Sequence, residues 1–250
     1  MILPRLSSAI RYLGWADPPY RWRLSKGECP LCKQSIFLSF KTDPFMTRCL
    51  KCRTNITNLS LIPAIKHHFK ESYAGKSAYE LSCYGCTLAW LKANWPTVVA
   101  SEFFPEEKLG NVIDGVLNQD VQRLTFDNDS FDLVTSNQVF EHVPDDIQGY
   151  AECFRVIRKG GALIFSVPLY EIDHTERIAF LNEGNVIFIG EPEYHDSRLG
   201  GAKSAPVFWR HSLNDIADRV KSAGFVKVDL IDILIASSQH IPSKVVCALK

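Results

Sequence analysis

Residues 131–166 read FDLVTSNQVFEHVPDDIQGYAECFRVIRKGGALIFS, and the parsing of this stretch decides the fold. It opens on a strand, FDLVTSNQVF, that leads into a loop at Val143-Pro144. DDIQGYAECFRVIRKGG then sets Ile147, Tyr150, Ala151, Phe154 and Ile157 along one stripe at helical spacing. Gly160-Gly161 is the expected helix stop. ALIFSVP, residues 162–168, is apolar enough for a central strand of a parallel sheet, which is buried on both faces. Strand, helix and strand in succession make a βαβ unit.

The same alternation extends in both directions. Upstream, SAYELS (77–82) reads as a short strand, CTLAWLKANW (86–95) as a helix and TVVASEF (97–103) as a buried strand. Downstream, HSLNDIADRVKSAGF (211–225) reads as a helix, with Ser212 and Asp215 as its capping box and Gly224 as its stop. VKVDLID, a loop at Ile241-Pro242-Ser243 and a final strand KVVCAL complete the chain. The prediction is an α/β, doubly wound, mostly parallel sheet. Residues 169–209 are long for a connector and are read as an insertion on the substrate side.

The 250-residue chain has a formal net charge of zero, distributed unevenly. Residues 1–76 carry 13 Lys/Arg against 4 Asp/Glu, and residues 77–250 carry 15 against 24. A basic first third suits a partner rich in phosphate or another anion, or it docks on its own acidic neighbour. No run approaches the ~20 apolar residues of a membrane span. MILPRLSSAIRYLGW lacks the apolar core and cleavage site of a secretory signal, so a cytoplasmic location is expected.

Four of the eight cysteines fall as Cys29-Pro-Leu-Cys32 and Cys49-Leu-Lys-Cys52, sixteen residues apart. Two C-x-x-C knuckles at this distance are zinc-ribbon spacing, and two thiolates from each complete a tetrahedron. KQSIFLSFKTDPFMTR between them reads as two short strands around a turn at Asp43-Pro44. A segment this short cannot bury a sufficient core, so the metal supplies its fold. With no ligand position left over, the site is structural. The domain reading is residues 1–58 as a basic segment with the small zinc-ribbon domain (29–52), 59–76 as a linker helix (LSLIPAIKHHFKES at its heart), and 77–250 as the sheet domain.

Ligands of such a sheet bind beyond the carboxyl ends of its strands. Three acids fall there in order: Glu80, Glu102 and Asp120. Glu102, at the end of the second strand, is placed to accept both hydroxyls of a ribose. QDVQRLTFDNDSFDLVTSNQVFEHVPD together with CFRVIRKGGALIFSVP resembles the class I S-adenosylmethionine-dependent methyltransferases, in the small-molecule group that includes ubiquinone-pathway enzymes. The resemblance runs from about residue 77 to the C-terminus. It implies a Rossmann-like methyltransferase fold with seven strands, the last antiparallel, and S-adenosylmethionine as cofactor.

The resemblance also implies roles. Glu102 holds the ribose, Asp120 accepts from the adenine amino group beside the Val121 backbone, and Asn137 lines the methionine side. The family's opening motif, an acid followed by three alternate glycines, is here Glu80, Ser82, Tyr84 and Cys86, with Gly85 out of step. Ser82 is small enough to stand in for a glycine, and Gly85 is the expected turning point. The second C-x-x-C, Cys83 and Cys86, therefore belongs to the cofactor loop.

For transfer to a hydroxyl, His142 is the first candidate base, by its pKa and its place after the fourth strand. Tyr194 and His195, in EPEYHDSRLGG, are further candidates for the acceptor pocket or as bases. Some relatives acting on catechols or ribose hydroxyls hold a divalent metal with a Glu-x-x-Glu-His pattern. This chain has Gln138-x-x-Glu141-His142, one carboxylate short, so no hard cation is expected there. The leading expectation is methylation of a small molecule at oxygen. Its acceptor is a sugar, lipid-linked or secondary-metabolite compound, with a phosphorylated group to match the basic ribbon. An RNA methyltransferase gripping phosphates with its ribbon and a non-catalytic binding module are the alternatives that the sequence leaves open. The oligomeric state has no signature in it.

Overall fold

The computed structural model describes residues 23–39, 44–70, 72–197 and 200–250. The chain before residue 23 and Asp43 of the expected ribbon turn lie outside them. Three antiparallel strands, β1 (Arg23–Lys26), β2 (Ile36–Ser39) and β3 (Thr47–Cys49), form the N-terminal sheet in the order β1-β2-β3. Each C-x-x-C closes through the same turn: Lys33 N–H donates to the Cys29 carbonyl and Arg53 N–H to the Cys49 carbonyl, both at 2.9 Å. Lys33 and Arg53 each take φ +63°, the left-handed bend that closes the knuckle.

Two helices follow, α1 (Ile56–Leu59) and α2 (Leu61–Phe69). Asn55 caps α1 by accepting from the Asn58 N–H. The large sheet is then built from β4 (Ser77–Glu80), α3 (Cys86–Asn94), β5 (Thr97–Glu102), β6 (Val112–Ile113), β7 (Val116–Asn118), β8 (Phe131–Asn137), α4 (Asp146–Val156) and β9 (Ile157–Ser166). β10 (Leu169–Tyr170), β11 (Glu176–Arg177) and the hairpins β12 (Ala179–Asn182)/β13 (Asn185–Phe188) and β14 (Tyr194–Ser197)/β15 (Gly201–Pro206) form the excursion, closed by β16 (Trp209–Ser212). α5 (Ile216–Ser222), β17 (Lys227–Ile233) and β18 (Ser243–Leu249) end the chain.

The main sheet has the order β17-β18-β9-β8-β4-β5-β7-β6. β4, β5, β7, β8 and β9 run parallel, and β18 is antiparallel to both its neighbours. The doubly wound, mostly parallel sheet is thus present, with one strand beyond the seven expected: β6, two residues long, turns back on β7 as a hairpin. The strands alternate their side chains between two apolar layers. Ala78, Leu133, Ile164 and Val245 face one, while Tyr79, Val134, Phe165 and Val246 face the other. α4 and α5 cover the second layer with Tyr150, Cys153, Val156, Ile216 and Val220.

The first layer is covered by α2, α3 and the N-terminal sheet together. Cys29, Phe37, Cys49, Leu59, Leu61, Ile62 and Ile65 are buried in one cluster with the sheet residues. The N-terminal sheet is also tied to the loop between β17 and β18. Ser237 N–H donates to the Lys26 carbonyl at 2.7 Å, and the hydroxyls of Ser25, Ser39 and Ser238 form a chain. Gly27 sits so close to that loop that a Cβ would lie 2.1 Å from the Ile235 carbonyl oxygen.

Two local expectations are corrected. Gly160-Gly161 does not stop a helix: α4 ends at Val156 and Ile157 already pairs with Phe131. The glycines instead make an irregularity in β9, with Gly160 at φ +81° and Gly161 where a Cβ would meet the Asp132 carbonyl at 2.6 Å. Ser212 and Asp215 form no capping box, since Asp215 makes no side-chain cap bond. Its carboxylate takes the N–H and hydroxyl of Thr175, while Ser212 lies in β16 and its hydroxyl bonds the Ile172 carbonyl. Both residues anchor the excursion to α5, so tertiary contacts displaced a local motif. Among the described residues no helix is long and apolar enough to cross a membrane.

Candidate active site

The carboxyl ends of β4, β5, β7 and β8 open on one side of the sheet, and the anticipated acids stand there. β4 ends at Glu80, which is buried and accepts from Thr135 Oγ1 on neighbouring β8 at 2.5 Å. Burial, reinforced by the charge of Glu102, raises its pKa to about 8 against the opposing hydroxyl bond. The native state therefore holds a proton that the unfolded chain releases near the ordinary value of 4.5. Stability from this group is full below that value and is lost as pH rises to about 8. Urea unfolding at pH 5 and pH 8 should show wild type losing stability relative to Glu80→Gln over that interval. Parallel behaviour of the two proteins would refute the assignment.

The loop after β4 is anchored by Leu81 N–H donating to the Thr135 carbonyl at 3.0 Å. Ser82, Cys83 and Tyr84 are half-buried along it, and Gly85 turns it into α3 at φ +109°. No atom would touch a Cβ at Gly85, so the demand there is conformational rather than steric. Cys83 and Cys86 are not paired with each other. Cys83 donates to Glu102 Oε2 at 3.5 Å, whereas Cys86 donates to the Asn58 carbonyl at 3.0 Å.

Glu102 ends β5 half-buried, and burial raises its pKa. Asp120 follows β7 and accepts from the Gln122 N–H at 2.9 Å. With Phe103, Pro105, Leu109, Lys108 and Arg123 it lines a cavity of about 290 Å³. Val121 turns its side chain into the apolar layer under α4. Asn137 ends β8, donating to the Asn58 carbonyl at 3.1 Å and accepting from the Ser166 hydroxyl at 3.0 Å. Asn58 belongs to α1, so the N-terminal segment itself closes this corner. Nothing in the sequence around Asn58 marks it, because only the docking of α1 brings its carbonyl there.

A second group lies just beyond β8, on a short 3₁₀ turn, Phe140–His142. His142 Nδ1 lies 2.7 Å from the Pro206 carbonyl, and His142 Nε2 lies 3.2 Å from His195 Nδ1. Glu141 Oε1 is 3.8 Å from both of those imidazole nitrogens. Burial raises the Glu141 pKa to about 8 and lowers that of His142 to about 4. Of the candidate acceptor-side residues, His142 and His195 are brought together and Tyr194 is not. Tyr194 precedes His195 on β14 and packs instead against Phe188, ring centroids 5.1 Å apart.

Opposite the sheet, Cys29 Sγ and Cys52 Sγ stand 3.7 Å apart and Cys32 Sγ and Cys49 Sγ 3.5 Å, with all four sulfurs within 4.8 Å of one another. Zn–S bonds of about 2.3 Å at tetrahedral angles give sulfur separations of ~3.8 Å. A disulfide requires about 2.05 Å. The four thiols fit a structural zinc ion.

Comparison with known proteins bears on the sheet domain alone. The family model described as a methyltransferase domain matches residues 79–165. A sarcosine/dimethylglycine N-methyltransferase of Halorhodospira halochloris is 27% identical over 129 residues, 51% of this chain and 46% of that protein. A ubiquinone biosynthesis O-methyltransferase of Coxiella burnetii is 42% identical over 48 residues, 19% of this chain and 20% of that one. The chain thus spans less than half the length of these curated relatives. An S-adenosylmethionine-dependent methyltransferase from Mesorhizobium loti superposes with a TM-score of 0.49 at 16% identity, covering 76% of this chain and 96% of that chain. The matched segment runs from Tyr79 in β4 to Phe165 in β9, so this part of the chain is similar to a methyltransferase domain.

Proposed function

We propose that this protein transfers the methyl group of S-adenosylmethionine to a hydroxyl oxygen of a small-molecule acceptor. The observation that carries the reading is the placement of Glu102, Asp120 and Asn137 at the carboxyl ends of β5, β7 and β8, with β4 between β5 and β8 and a cavity at the Asp120 end. The residues fit the cofactor. Glu102 offers two carboxylate oxygens to a ribose diol, and its thiol contact from Cys83 is long, at 3.5 Å. The cavity combines the apolar walls of Phe103, Pro105 and Leu109 with two carboxylate acceptors, Asp120 and Glu107, which suits a purine bearing an amino group. Gly85 lets the loop approach without a side chain, and Ser82 stands nearby. Asn137 marks the methionine end.

When bound, the cofactor supplies a methyl group already activated on a positively charged sulfur. The protein's task is then orientation, an effect worth up to ~7–11 kcal/mol in well-aligned reactions. The excursion over residues 169–209 forms the acceptor side, because it brings His195 against the turn that follows β8. Its hairpins can exclude water and select the acceptor. The basic first third favours an acceptor carrying phosphate, such as a sugar or a lipid-linked intermediate.

Calorimetric titration with S-adenosylmethionine and with S-adenosylhomocysteine tests the reading. Saturable binding of one cofactor per folded chain is expected from both. No heat at millimolar concentrations, with the fold intact by circular dichroism, leaves a methyltransferase-like scaffold and overturns the enzyme.

A further inference from the structure

The group beyond β8 has more order than an acid-base pair requires. Glu141 is buried, and neither of its carboxylate oxygens has a hydrogen-bond partner. A buried carboxylate left this way is costly, and native proteins rarely leave one without an ion or a donor. Two imidazole nitrogens face it. His142 Nδ1 is held by the Pro206 carbonyl, which can only accept, so Nδ1 carries the proton and Nε2 presents its lone pair. That carbonyl-to-imidazole contact is the outer support commonly found behind a metal-ligating histidine. His195 reaches the same point from β14, with its side chain 36% exposed.

The spacing suits a single ion. Bonds of about 2.0–2.1 Å place donor atoms ~3.0 Å apart at right angles and ~3.4 Å apart at tetrahedral angles. The three donor separations are 3.2, 3.8 and 3.8 Å, so small rotamer shifts bring all three into range. We propose that Glu141, His142 and His195 bind a divalent first-row transition ion, with its remaining positions open to oxygen atoms of the acceptor. Two imidazoles with one carboxylate favour such an ion over magnesium or calcium, which take mostly oxygen. The missing carboxylate at Gln138 therefore does not abolish a site. It changes the class of ion, and the excursion supplies the third donor.

This inference rests on the methyl-transfer reading and narrows its acceptor to compounds with a hydroxyl able to ligate, alone or with a neighbouring oxygen. An ion at this position lowers the pKa of a bound hydroxyl. The hydroxyl proton is then released to water, the oxygen–methyl bond forms as the carbon–sulfur bond breaks, and sulfur leaves as a neutral thioether.

The test uses protein loaded with one equivalent of zinc per chain, which the four thiolates hold, and dialysed free of other metal. It is then titrated with Mn(II) and followed by loss of the free-ion electron paramagnetic resonance signal. Manganese stands lowest in the divalent affinity order and leaves zinc on four thiolates undisturbed. Wild type is expected to take up one Mn(II) per chain. Glu141→Gln and His195→Gln should each weaken that uptake by more than about tenfold. Both variants should keep wild-type calorimetric affinity for S-adenosylmethionine, which shows that fold and cofactor site survive. No uptake below about 1 mM, or uptake equal in wild type and both variants, overturns the metal site while leaving the cofactor reading to its own titration.

Discussion

Cys49→Ser is expected to unfold the main sheet as well as the small N-terminal one. Cys29 and Cys49 are buried in the same apolar cluster as Leu61, Ile62 and Ile65 of α2 and Ala78, Leu133, Ile164 and Val245 of the sheet. Structural zinc sites contribute an apparent ~10–16 kcal/mol to the folding of small modules. A whole domain has only about 5–15 kcal/mol of net stability. Without the zinc ion that they fit, the four thiols stand in a layer that cannot repack around them. The serine bonds to residues 237 and 238 then lose the sheet that presents them. The expected result is a single cooperative transition lowered by more than about 20 °C. Zinc content by atomic emission should fall in step with it. Hydrogen exchange on β9 and β18 gives the deciding measurement. If those strands stay protected after zinc is lost, the ribbon is an appendage and the shared layer contributes little.

This coupling marks where the sequence was informative and where it stopped. Period and punctuation made the strands from β4 to β18 legible, because each is an apolar run bounded by turn residues. Cysteine spacing announced four converging thiolates, since a knuckle is a local turn. Acids at strand ends were readable because topology places every parallel strand end on one side.

What escaped depends on distant partners. The sequence drew a linker helix over 59–76, whereas Leu61, Ile62 and Ile65 pack as a layer of the sheet. The Gly160-Gly161 stop was displaced because pairing of Ile157 with Phe131 begins the strand four residues earlier. Asp215 went to Thr175 instead of capping α5. Asn58 reached the end of β8 only through docking of α1. Just beyond β8, His142 and His195 were each visible as single letters, and their meeting at 3.2 Å was not. Fifty-three residues separate them, and no local pattern encodes such a contact.

The proposed cofactor site yields the second large effect. Glu102→Ala is expected to weaken S-adenosylmethionine binding by about a hundredfold or more, since hydrogen bonds to a charged group contribute about 1.5–3 kcal/mol each and a ribose diol offers two. The loss should be equal for S-adenosylhomocysteine, because both carry the same ribose. The fold should tolerate the change. Glu102 is only half-buried at the strand end, so removing its side chain opens no core cavity. Burial already disfavours its charged form, and alanine relieves that penalty. The melting temperature should therefore hold or rise slightly while affinity falls. Glu102→Gln keeps one acceptor without the charge and should fall between the two. Asn137→Ala provides the contrast: its amide is engaged with Asn58 and Ser166, so its loss should lower stability along with affinity. Calorimetry paired with thermal unfolding separates the two patterns. Full affinity in the Glu102→Ala protein would place the ribose elsewhere, and the row of strand-end acids would then be a structural feature of the sheet edge rather than a cofactor cradle.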